Sequence, residues 1–231
     1  MQDIRANLER VRERIARAAE RAGRRPDGVL LIGVSKTVDT GRIRAALAAG
    51  LGALGENRVQ EARAKIAELG RPVPWHLVGH LQTNKAREAL ELFDVIHSLD
   101  RPELARECDK RARARGRAAE ALVEVNLAGE ASKGGVAPDR LAALLDAVAP
   151  LDHVRVRGLM TIPPEAHNPE DARPWFRALA KLGAQHGLAE LSMGMSGDFE
   201  VAVEEGATMV RVGTAIFGPR PARPAREREE R

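Results

Sequence analysis

The chain has 231 residues, of which 44% are hydrophobic and 30% are charged, and its formal net charge is +4. This composition is typical of a soluble globular protein, and no apolar run is long enough to cross a bilayer, so we expect no membrane association. Basic residues are spread widely and only 3% of the residues are aromatic, which argues against nucleic-acid binding.

The first predicted element is an amphipathic helix. Within residues 2–22 the apolar side chains recur at helical spacing, and the pattern ends near Gly23. Arginines are frequent in this segment, but acidic residues among them argue against a transit peptide, and the apolar core of a signal peptide is lacking. The single cysteine, Cys108, cannot close an internal disulfide. Together these features predict a cytoplasmic protein.

After this helix, short apolar runs alternate with helical patterns. The runs predict eight strands, at residues 29–36, 51–56, 75–81, 93–99, 120–127, 154–162, 190–195 and 209–213. Helical patterns between them include residues 39–50, 57–70, 101–116, 138–149 and 169–187. Such alternation predicts a parallel sheet, and eight units predict a single closed (β/α)8 barrel over residues 1–218. The alternative, an open doubly wound sheet, usually shows a G-x-G-x-x-G turn after its first strand, and "SKTVDTG" does not fit that pattern.

The last segment, residues 219–231, differs in composition from the rest. It holds three prolines, five arginines and three glutamates, with no aliphatic residue larger than alanine. Such a segment has little apolar surface to bury, so we expect a disordered, arginine-rich tail.

A lysine, Lys36, ends the first apolar run. By strand parity it shares a face with Ile32 and Val34, and if that face is the barrel interior its ammonium lies at the mouth, where active sites of this fold occur. Partial desolvation there favours the neutral amine, which condenses with carbonyls. The alternative is a lysine that extends into solvent from a strand end.

The loops after strands seven and eight are small, polar and rich in glycine. In this fold they commonly bind phosphate, because glycine lets backbone amides approach closely. The candidate contacts are Ser196, Gly197, Gly213 and Thr214. The alternatives are a helix N-cap for Ser196 and turn geometry for the glycines. A nucleophilic lysine facing a phosphate site describes a barrel that binds a phosphorylated aldehyde, and pyridoxal 5'-phosphate (PLP) is such a compound.

Several long motifs occur in order along the predicted barrel. They read "GVSKT", "GENRVQEA", "WHLVGHLQTNK", "RGLMTIPP" and "LSMGMSGDFEVAVEEGATMVRVGTAIFG". These motifs resemble the pyridoxal phosphate homeostasis protein family. The resemblance implies a barrel similar to the N-terminal domain of alanine racemase, with PLP held as a Schiff base on Lys36. It also implies a monomeric carrier with little or no catalytic turnover, which takes part in vitamin B6 and amino-acid homeostasis and has PLP and PLP-dependent apoenzymes as partners.

Matched motif by motif, the resemblance implies seven cofactor contacts: Lys36, Asn57, Met160, Ser196, Arg211, Gly213 and Thr214. The last loops would hold the phosphate, and Met160 would line the ring pocket. Arg211 would face the pyridine nitrogen, and because a guanidinium only donates, it would weaken the ring as an electron sink. Asn57 also fits a helix N-cap, with Gln60 three residues further on.

Two enzyme functions remain alternatives. Alanine racemase uses a tyrosine from a second domain, and this sequence has no tyrosine; a low-activity racemase would need His76, His80 or water as the base opposite Lys36. A cofactor-free aldolase would instead use Lys36 on a sugar phosphate.

No metal site is expected, because no carboxylate or cysteine completes a ligand spacing with His76, His80 and His97. Lys133, where the family also carries a lysine, is either an exposed loop residue or a contact used in cofactor exchange.

Overall fold

Eight parallel strands form a closed barrel. The computed structural model describes residues 3–130 and 132–219. Within them the strands are β1 (Leu30–Val34), β2 (Leu54–Glu56), β3 (Trp75–Leu77), β4 (Val95–Leu99), β5 (Ala119–Glu124), β6 (Val154–Met160), β7 (Glu190–Ser192) and β8 (Met209–Val212). Each strand pairs with the next in the chain, and β8 pairs with β1. The closure confirms the predicted (β/α)8 barrel and excludes the open sheet.

Helices surround the barrel. In the described part of the chain they are α1 (Ile4–Arg21), α2 (Thr40–Ala48), α3 (Val59–Leu69), α4 (Ala86–Leu92), α5 (Pro102–Arg115), α6 (Leu141–Val148), α7 (Arg173–Gln185), α8 (Phe199–Glu204) and α9 (Thr214–Phe217). Single 3-10 turns precede α4, α6 and α7. The sequence patterns had not singled out α4, which has only seven residues. These helices are too short or too polar to span a bilayer.

The predicted first helix packs on the outside of the barrel against α8 and α9. Its N-cap is Asp3, whose side chain accepts a hydrogen bond from the Ala6 N–H. Its apolar face is buried as the periodicity predicted. On the polar side, Arg14 lies 4.5 Å above the ring of Phe199 and forms a 2.7 Å ion pair with Glu200. This helix therefore covers the last βα unit.

Two apolar layers fix which side chains reach the barrel axis. Leu31 belongs to the large layer between the strands and the helices. The barrel interior is filled by Ile32, Ala53, Val95, Leu122, Met160 and Met209. Because neighbouring residues of β1 lie in opposite layers, the parity argument is confirmed. The face that holds Ile32 leads to Lys36 at the C-terminal mouth.

Several strands end earlier than the apolar runs predicted. β3 ends at Leu77 and β7 at Ser192, and the remaining residues of each run form loops at the mouth. Gly194 has a φ of 90°, and a Cβ there would lie 2.5 Å from the Ala202 Cβ, so the chain turns sharply onto α8. Apolar residues occur in these loops because some of them are buried in the core, as Met193 is, with none of its surface exposed. Except for Pro219, the predicted tail, residues 219–231, lies outside the described residues.

Candidate functional site

A cavity of about 390 Å³ opens at the C-terminal end of the barrel. Six of the seven residues that the resemblance implied as cofactor contacts line it: Lys36, Asn57, Ser196, Arg211, Gly213 and Thr214. They come from the ends of β1, β2, β7 and β8, so residues far apart in the chain meet at one mouth. The wall also contains apolar side chains, among them Val34 and Val78. The cavity therefore combines one amine, one guanidinium and several small polar groups with an apolar wall.

The seventh residue, Met160, does not line this cavity. It is fully buried in the interior layer of the barrel, and Ile162 packs against that layer. Ile162 does line the cavity, two residues further along the same strand direction. Because side chains of like parity share a face, Ile162 occupies the wall position implied for Met160, and Met160 supports it from below.

Asn57 follows β2 directly and is half-buried in the cavity wall. The expected N-cap role is wrong, because α3 begins after Arg58 and no side chain caps it. The backbone of Asn57 is instead pressed against Gly79, where a Cβ would lie 2.3 Å from the Asn57 carbonyl oxygen. Glycine at position 79 is thus required for the close approach that places Asn57 at the mouth.

Ser196 connects the loops after β7 and β8. Its Oγ accepts hydrogen bonds from the backbone N–H groups of Gly213, at 3.2 Å, and Ala215, at 3.3 Å. It does not cap the following helix, since Asp198 is the N-cap of α8. These two hydrogen bonds hold the amides and the hydroxyl together at the cavity wall, where Ser196 and Gly213 are exposed to the cavity. The Ala215 amide was missed from the sequence, because a backbone donor leaves no signature in its side chain.

Arg211 lies at the floor of the cavity and is only 4% exposed. One of its terminal nitrogens donates to Ser192 Oγ at 2.6 Å, and the other donates to the Thr161 carbonyl at 2.9 Å. Burial lowers the pKa of Arg211 to about 10, with Glu124 and Asp198 opposing the shift. The guanidinium is therefore still protonated at neutral pH and held in a fixed orientation.

A chain of hydrogen bonds continues from Arg211 across the barrel interior. Ser192 Oγ lies 2.9 Å from His97 Nδ1, and His97 Nε2 lies 2.8 Å from His76 Nδ1. Arginine can only donate, so Ser192 Oγ accepts from Arg211 and keeps its own hydrogen for His97 Nδ1. With Nδ1 as acceptor, neutral His97 donates through Nε2 to His76. Both imidazoles are then neutral. Burial lowers the pKa of His76 to about 4 and that of His97 well below its ordinary value.

This chain of hydrogen bonds removes His76 as the base opposite Lys36. Its side chain is buried within the barrel and already engaged with His97. His80 follows β3 and lies 3.7 Å from Asp100, with half of its side chain exposed. In the part of the chain that the structure describes, no group of three His, Cys, Asp or Glu side chains is arranged to hold a metal ion. Sequence patterns did not identify Ser192 and Thr161 as partners of Arg211. Each is a polar residue at the end of an apolar strand, and that position was the signal that could have identified them.

Two acids near Arg211 were also missed, the buried Glu124 and the half-buried Asp198. Burial raises the pKa of Glu124 to about 7, with Asp100 raising it further and Arg211 lowering it. Burial likewise raises the pKa of Asp198, whose carboxylate accepts a 2.6 Å hydrogen bond from the Met195 N–H. These groups place negative potential beside the guanidinium, and Asp198 shapes the loop that carries Ser196.

Lys133 lies in the loop after β5, beside a neighbouring cavity of about 450 Å³. Its ammonium donates to Glu130 at 2.6 Å and to the Pro163 carbonyl at 3.0 Å. The two cavities share Ile162, Met195 and Gly197 in their walls. Lys133 is thus close to the mouth but lines the neighbouring cavity rather than the one that contains Lys36.

A larger cavity, of about 700 Å³, lies at the N-terminal end of the barrel. Its charged lining groups already have partners: Arg157 pairs with Glu190, Asp27 pairs with Arg25, and Arg12 donates to the Gly50 carbonyl at 2.6 Å. The side chains that line it include no lysine, cysteine or histidine. Its lining thus lacks the nucleophile and the anion contacts of the C-terminal mouth.

Comparison with known proteins identifies the family. The family model described as alanine racemase, N-terminal domain, matches residues 6–221. The pyridoxal phosphate homeostasis protein of Aquifex aeolicus is 49% identical, over 92% of this chain and 96% of that protein. The structure of PipY from Synechococcus elongatus, solved with PLP bound, is 43% identical in sequence and has a TM-score of 0.78. The match covers 88% of this chain and 100% of the PipY chain. Alanine racemase of Clostridium difficile, at 15% identity and a TM-score of 0.71 over 96% of this chain and 58% of that one, shares the fold. The chain therefore belongs to the pyridoxal phosphate homeostasis protein family, whose barrel is that of the alanine racemase N-terminal domain.

Proposed function

We propose that this protein binds PLP at the C-terminal mouth of the barrel as a Schiff base with Lys36. The observation that carries the proposal is the meeting of Lys36, Arg211 and the Ser196 loop around one cavity of about 390 Å³. That donor set suits PLP, which has an aldehyde for an amine, a phosphate for amide and hydroxyl donors, and a ring nitrogen for a side-chain donor. The larger N-terminal cavity offers no such set.

Lys36 would hold the cofactor covalently. It is half-buried at the cavity wall, which it shares with Val34 and Val38. Lys36 Nζ forms a C=N bond with the aldehyde carbon, and the carbonyl oxygen leaves as water. Such a bond masks a reactive aldehyde and is reversible by hydrolysis, as storage and release require.

The phosphate would be held by backbone donors rather than by a cationic side chain. The N–H groups of Gly213 and Ala215 donate to Ser196 Oγ. A phosphate oxygen that replaced this Oγ as their acceptor would gain two amide donors, and the Ser196 hydroxyl would then be able to donate to the phosphate. Gly213 also keeps the wall open, because a Cβ there would lie 3.1 Å from the Val34 carbonyl oxygen. Thr214 is exposed at the same rim and adds a second hydroxyl.

Arg211 supports the role of a carrier over that of an enzyme. PLP, when bound, supplies an electron sink that depends on a protonated ring nitrogen. A guanidinium can only donate, and Arg211 stays protonated because its pKa, about 10, is far above neutrality. Placed at the ring nitrogen, Arg211 keeps that nitrogen unprotonated and weakens the sink. This protein would then hold PLP with little or no turnover.

We also propose a role for this PLP binding in the cell. The named relatives are homeostasis proteins, and PipY has been solved both without and with PLP. The proposed role is to balance vitamin B6 and amino-acid pools in the cytoplasm, as a monomer that passes PLP to apoenzymes dependent on it. The exposed side chain of Met195 at the rim, 38% accessible, fits a mouth from which the cofactor can be exchanged.

Reduction with borohydride tests the binding mode. Protein loaded with PLP is reduced, digested and mapped by mass spectrometry, with phosphate-buffered apoprotein treated in parallel. We expect one pyridoxyl adduct, on Lys36. An adduct confined to other lysines would contradict the proposal, and protein that takes up no PLP would favour the aldolase alternative, in which Lys36 acts on a sugar phosphate directly.

A low-activity racemase is the second candidate, favoured by Glu124. This buried carboxyl group has a pKa of about 7 and interacts electrostatically with Arg211, so it exchanges protons near neutrality. Loaded protein incubated with L-alanine in deuterated water tests this candidate. Deuterium at Cα together with D-alanine would support a racemase, and an unchanged substrate would support the carrier.

A further inference from the structure

A buried group of charges holds the main chain around Lys36. It consists of Glu56 at the end of β2 and Glu61 and Lys65 of α3, and we call it the Lys65 cluster. Lys65 Nζ lies 2.6 Å from Glu56 Oε1 and 2.7 Å from Glu61 Oε1, and only 8% of its side chain is exposed. No sequence pattern assigns these residues a role, because each resembles an ordinary charged residue of an αβ unit.

The cluster forms hydrogen bonds with the two peptide groups that flank Lys36. On one side, Lys65 Nζ donates to the Ser35 carbonyl at 2.6 Å, and this carbonyl belongs to the peptide that ends at the Lys36 nitrogen. On the other side, Glu61 Oε1 accepts from the Thr37 N–H at 2.5 Å, and this N–H belongs to the peptide that begins at the Lys36 carbonyl. Each peptide next to Lys36 is therefore anchored to α3.

A third contact joins β1 to the cluster. Ser35 Oγ donates to Glu56 Oε1 at 2.6 Å, and both residues are fully buried. Burial raises the pKa of Glu56, while the charge of Lys65 opposes that shift. A buried ion pair of this kind adds little net stability to a fold but fixes geometry, because breaking it leaves an uncompensated charge.

The backbone beside Lys36 needs this support. Thr37 has a φ of 63°, the one positive φ among non-glycine residues in the described ranges. A β-branched residue is disfavoured in this conformation and keeps it only when its surroundings impose it. Two hydrogen bonds hold this turn: the Thr37 N–H donates to Glu61 Oε1, and the Val38 N–H donates to the Ser35 carbonyl at 2.9 Å.

We propose that Lys65, Glu61 and Glu56 are positioning residues that fix the main chain of Lys36 so that its amine is presented to the PLP aldehyde. This inference rests on the proposed function of Lys36 and adds the device that orients it. The cluster lies behind β1, on the helix side, and its three members do not line the cavity. It therefore acts on the cofactor only through Lys36.

The first test is the rate of Schiff-base formation, followed by absorbance after PLP is added. Lys65→Met removes all three ammonium contacts, to the Ser35 carbonyl, Glu56 and Glu61. We expect a rate lower by on the order of tenfold to a hundredfold, because small displacements of a reacting group have effects of that size. We also expect a shift in the pH at which the Schiff base loses its proton. Arg63→Met is the matched control, since Arg63 lies on the same helix with 64% of its side chain exposed; it should load like wild type.

Glu61→Ala is a second variant, which should disturb folding less than Lys65→Met does. Glu61 is more accessible than Glu56 or Lys65. Its loss releases the peptide after Lys36 and one ion pair of Lys65, and it leaves the Lys65 contacts with Glu56 and the Ser35 carbonyl in place. We expect the same direction of change as in Lys65→Met, but smaller. Adding Thr37→Gly to Lys65→Met should restore part of the loading rate, because glycine adopts a positive φ without strain.

Amide exchange of the Thr37 N–H tests the cluster without PLP. In the apoprotein this amide should be protected in wild type and Arg63→Met, and exchange faster in Lys65→Met and Glu61→Ala. If wild type forms no Schiff base, the proposed function fails, whereas the exchange result still decides whether the cluster holds the turn. If wild type loads and both variants load at its rate, with the same pH midpoint and unchanged exchange, the positioning role is wrong.

Discussion

The two ends of the barrel each open into a cavity, and the larger one is the less equipped for chemistry. At the N-terminal end, about 700 Å³ is lined by side chains whose charges are already satisfied, as in the pair Arg157–Glu190. At the C-terminal end, about 390 Å³ brings together Lys36, Arg211 and the backbone donors around Ser196. Volume alone therefore does not mark a functional site in this barrel, whereas convergent polar groups at the C-terminal strand ends do.

The largest contrast between the two ends is expected on replacing Lys36. Lys36→Ala removes the amine, so the borohydride-fixed adduct should be lost completely, together with the yellow colour of loaded protein. Lys133→Ala is the matched control, because Lys133 lies in a mouth loop but lines the neighbouring cavity. Its adduct should remain on Lys36. An adduct of wild-type yield in Lys36→Ala would remove the basis of the account.

The buried titratable residues between the two ends of the barrel should make the free energy of unfolding depend on pH. The pKa of His76 is about 4 in the folded protein and near 6.5 when unfolded, so between these values the unfolded chain binds the extra proton. The free energy of unfolding should therefore fall as the pH drops from 6.5 towards 4, by roughly 3 kcal/mol from this residue. Glu124 opposes this trend, because its raised pKa stabilises the folded state at low pH and that contribution is lost as the pH rises towards 7.

Denaturant unfolding at several pH values measures this dependence. Since the two groups act in opposite directions, wild type is compared with His76→Asn, which retains a polar side chain but does not titrate in this range. The variant should show a flatter acid limb than wild type. Equal slopes for the two proteins would show that His76 is not held neutral in the folded state.

The amide site at the C-terminal mouth should contribute a smaller effect. Ser196→Ala removes the hydroxyl that gathers the N–H groups of Gly213 and Ala215. Because one hydrogen bond contributes about 1 kcal/mol, we expect PLP to bind about fivefold to tenfold more weakly by equilibrium dialysis. Ser196→Thr keeps the hydroxyl and should bind nearly as wild type. A loss of the same size for pyridoxal, which lacks the phosphate, would argue against phosphate contact at this position.

The smallest effect is expected at the N-terminal end. Leu30 lines the larger cavity with 36% of its surface exposed. Leu30→Gln should change PLP affinity by less than about twofold, because the change is on the surface and far from the mouth. A strong loss of PLP binding in this variant, with the fold intact by circular dichroism, would show that the larger cavity takes part.

The sequence predicted the barrel well because alternating patterns follow from burial. Leu31 and Ile32 face opposite layers, and this parity is sufficient to predict Lys36 at the mouth. Met160 was misplaced because periodicity gives the face of a strand but not the depth at which the cavity floor lies. The wrong N-cap for Asn57 has a similar origin, since the local pattern says nothing of the close approach of Gly79.

What the sequence could not predict are contacts between distant segments. The Lys65 cluster joins β1, β2 and α3 through a buried ammonium, and isolated charges in a sequence look alike whether they are buried or exposed. The same holds for the chain from Arg211 to His76, which needs four strands to come into register. Such contacts depend on tertiary packing, which local propensity and periodicity do not encode.

A crystal structure grown with PLP tests the central claim most directly. The account predicts continuous density from Lys36 Nζ to the cofactor, with the phosphate at the amides of Gly213 and Ala215 and the ring nitrogen facing Arg211. The N-terminal cavity should hold no PLP. Density for PLP at the N-terminal end, or at the C-terminal mouth without a bond to Lys36, would contradict it.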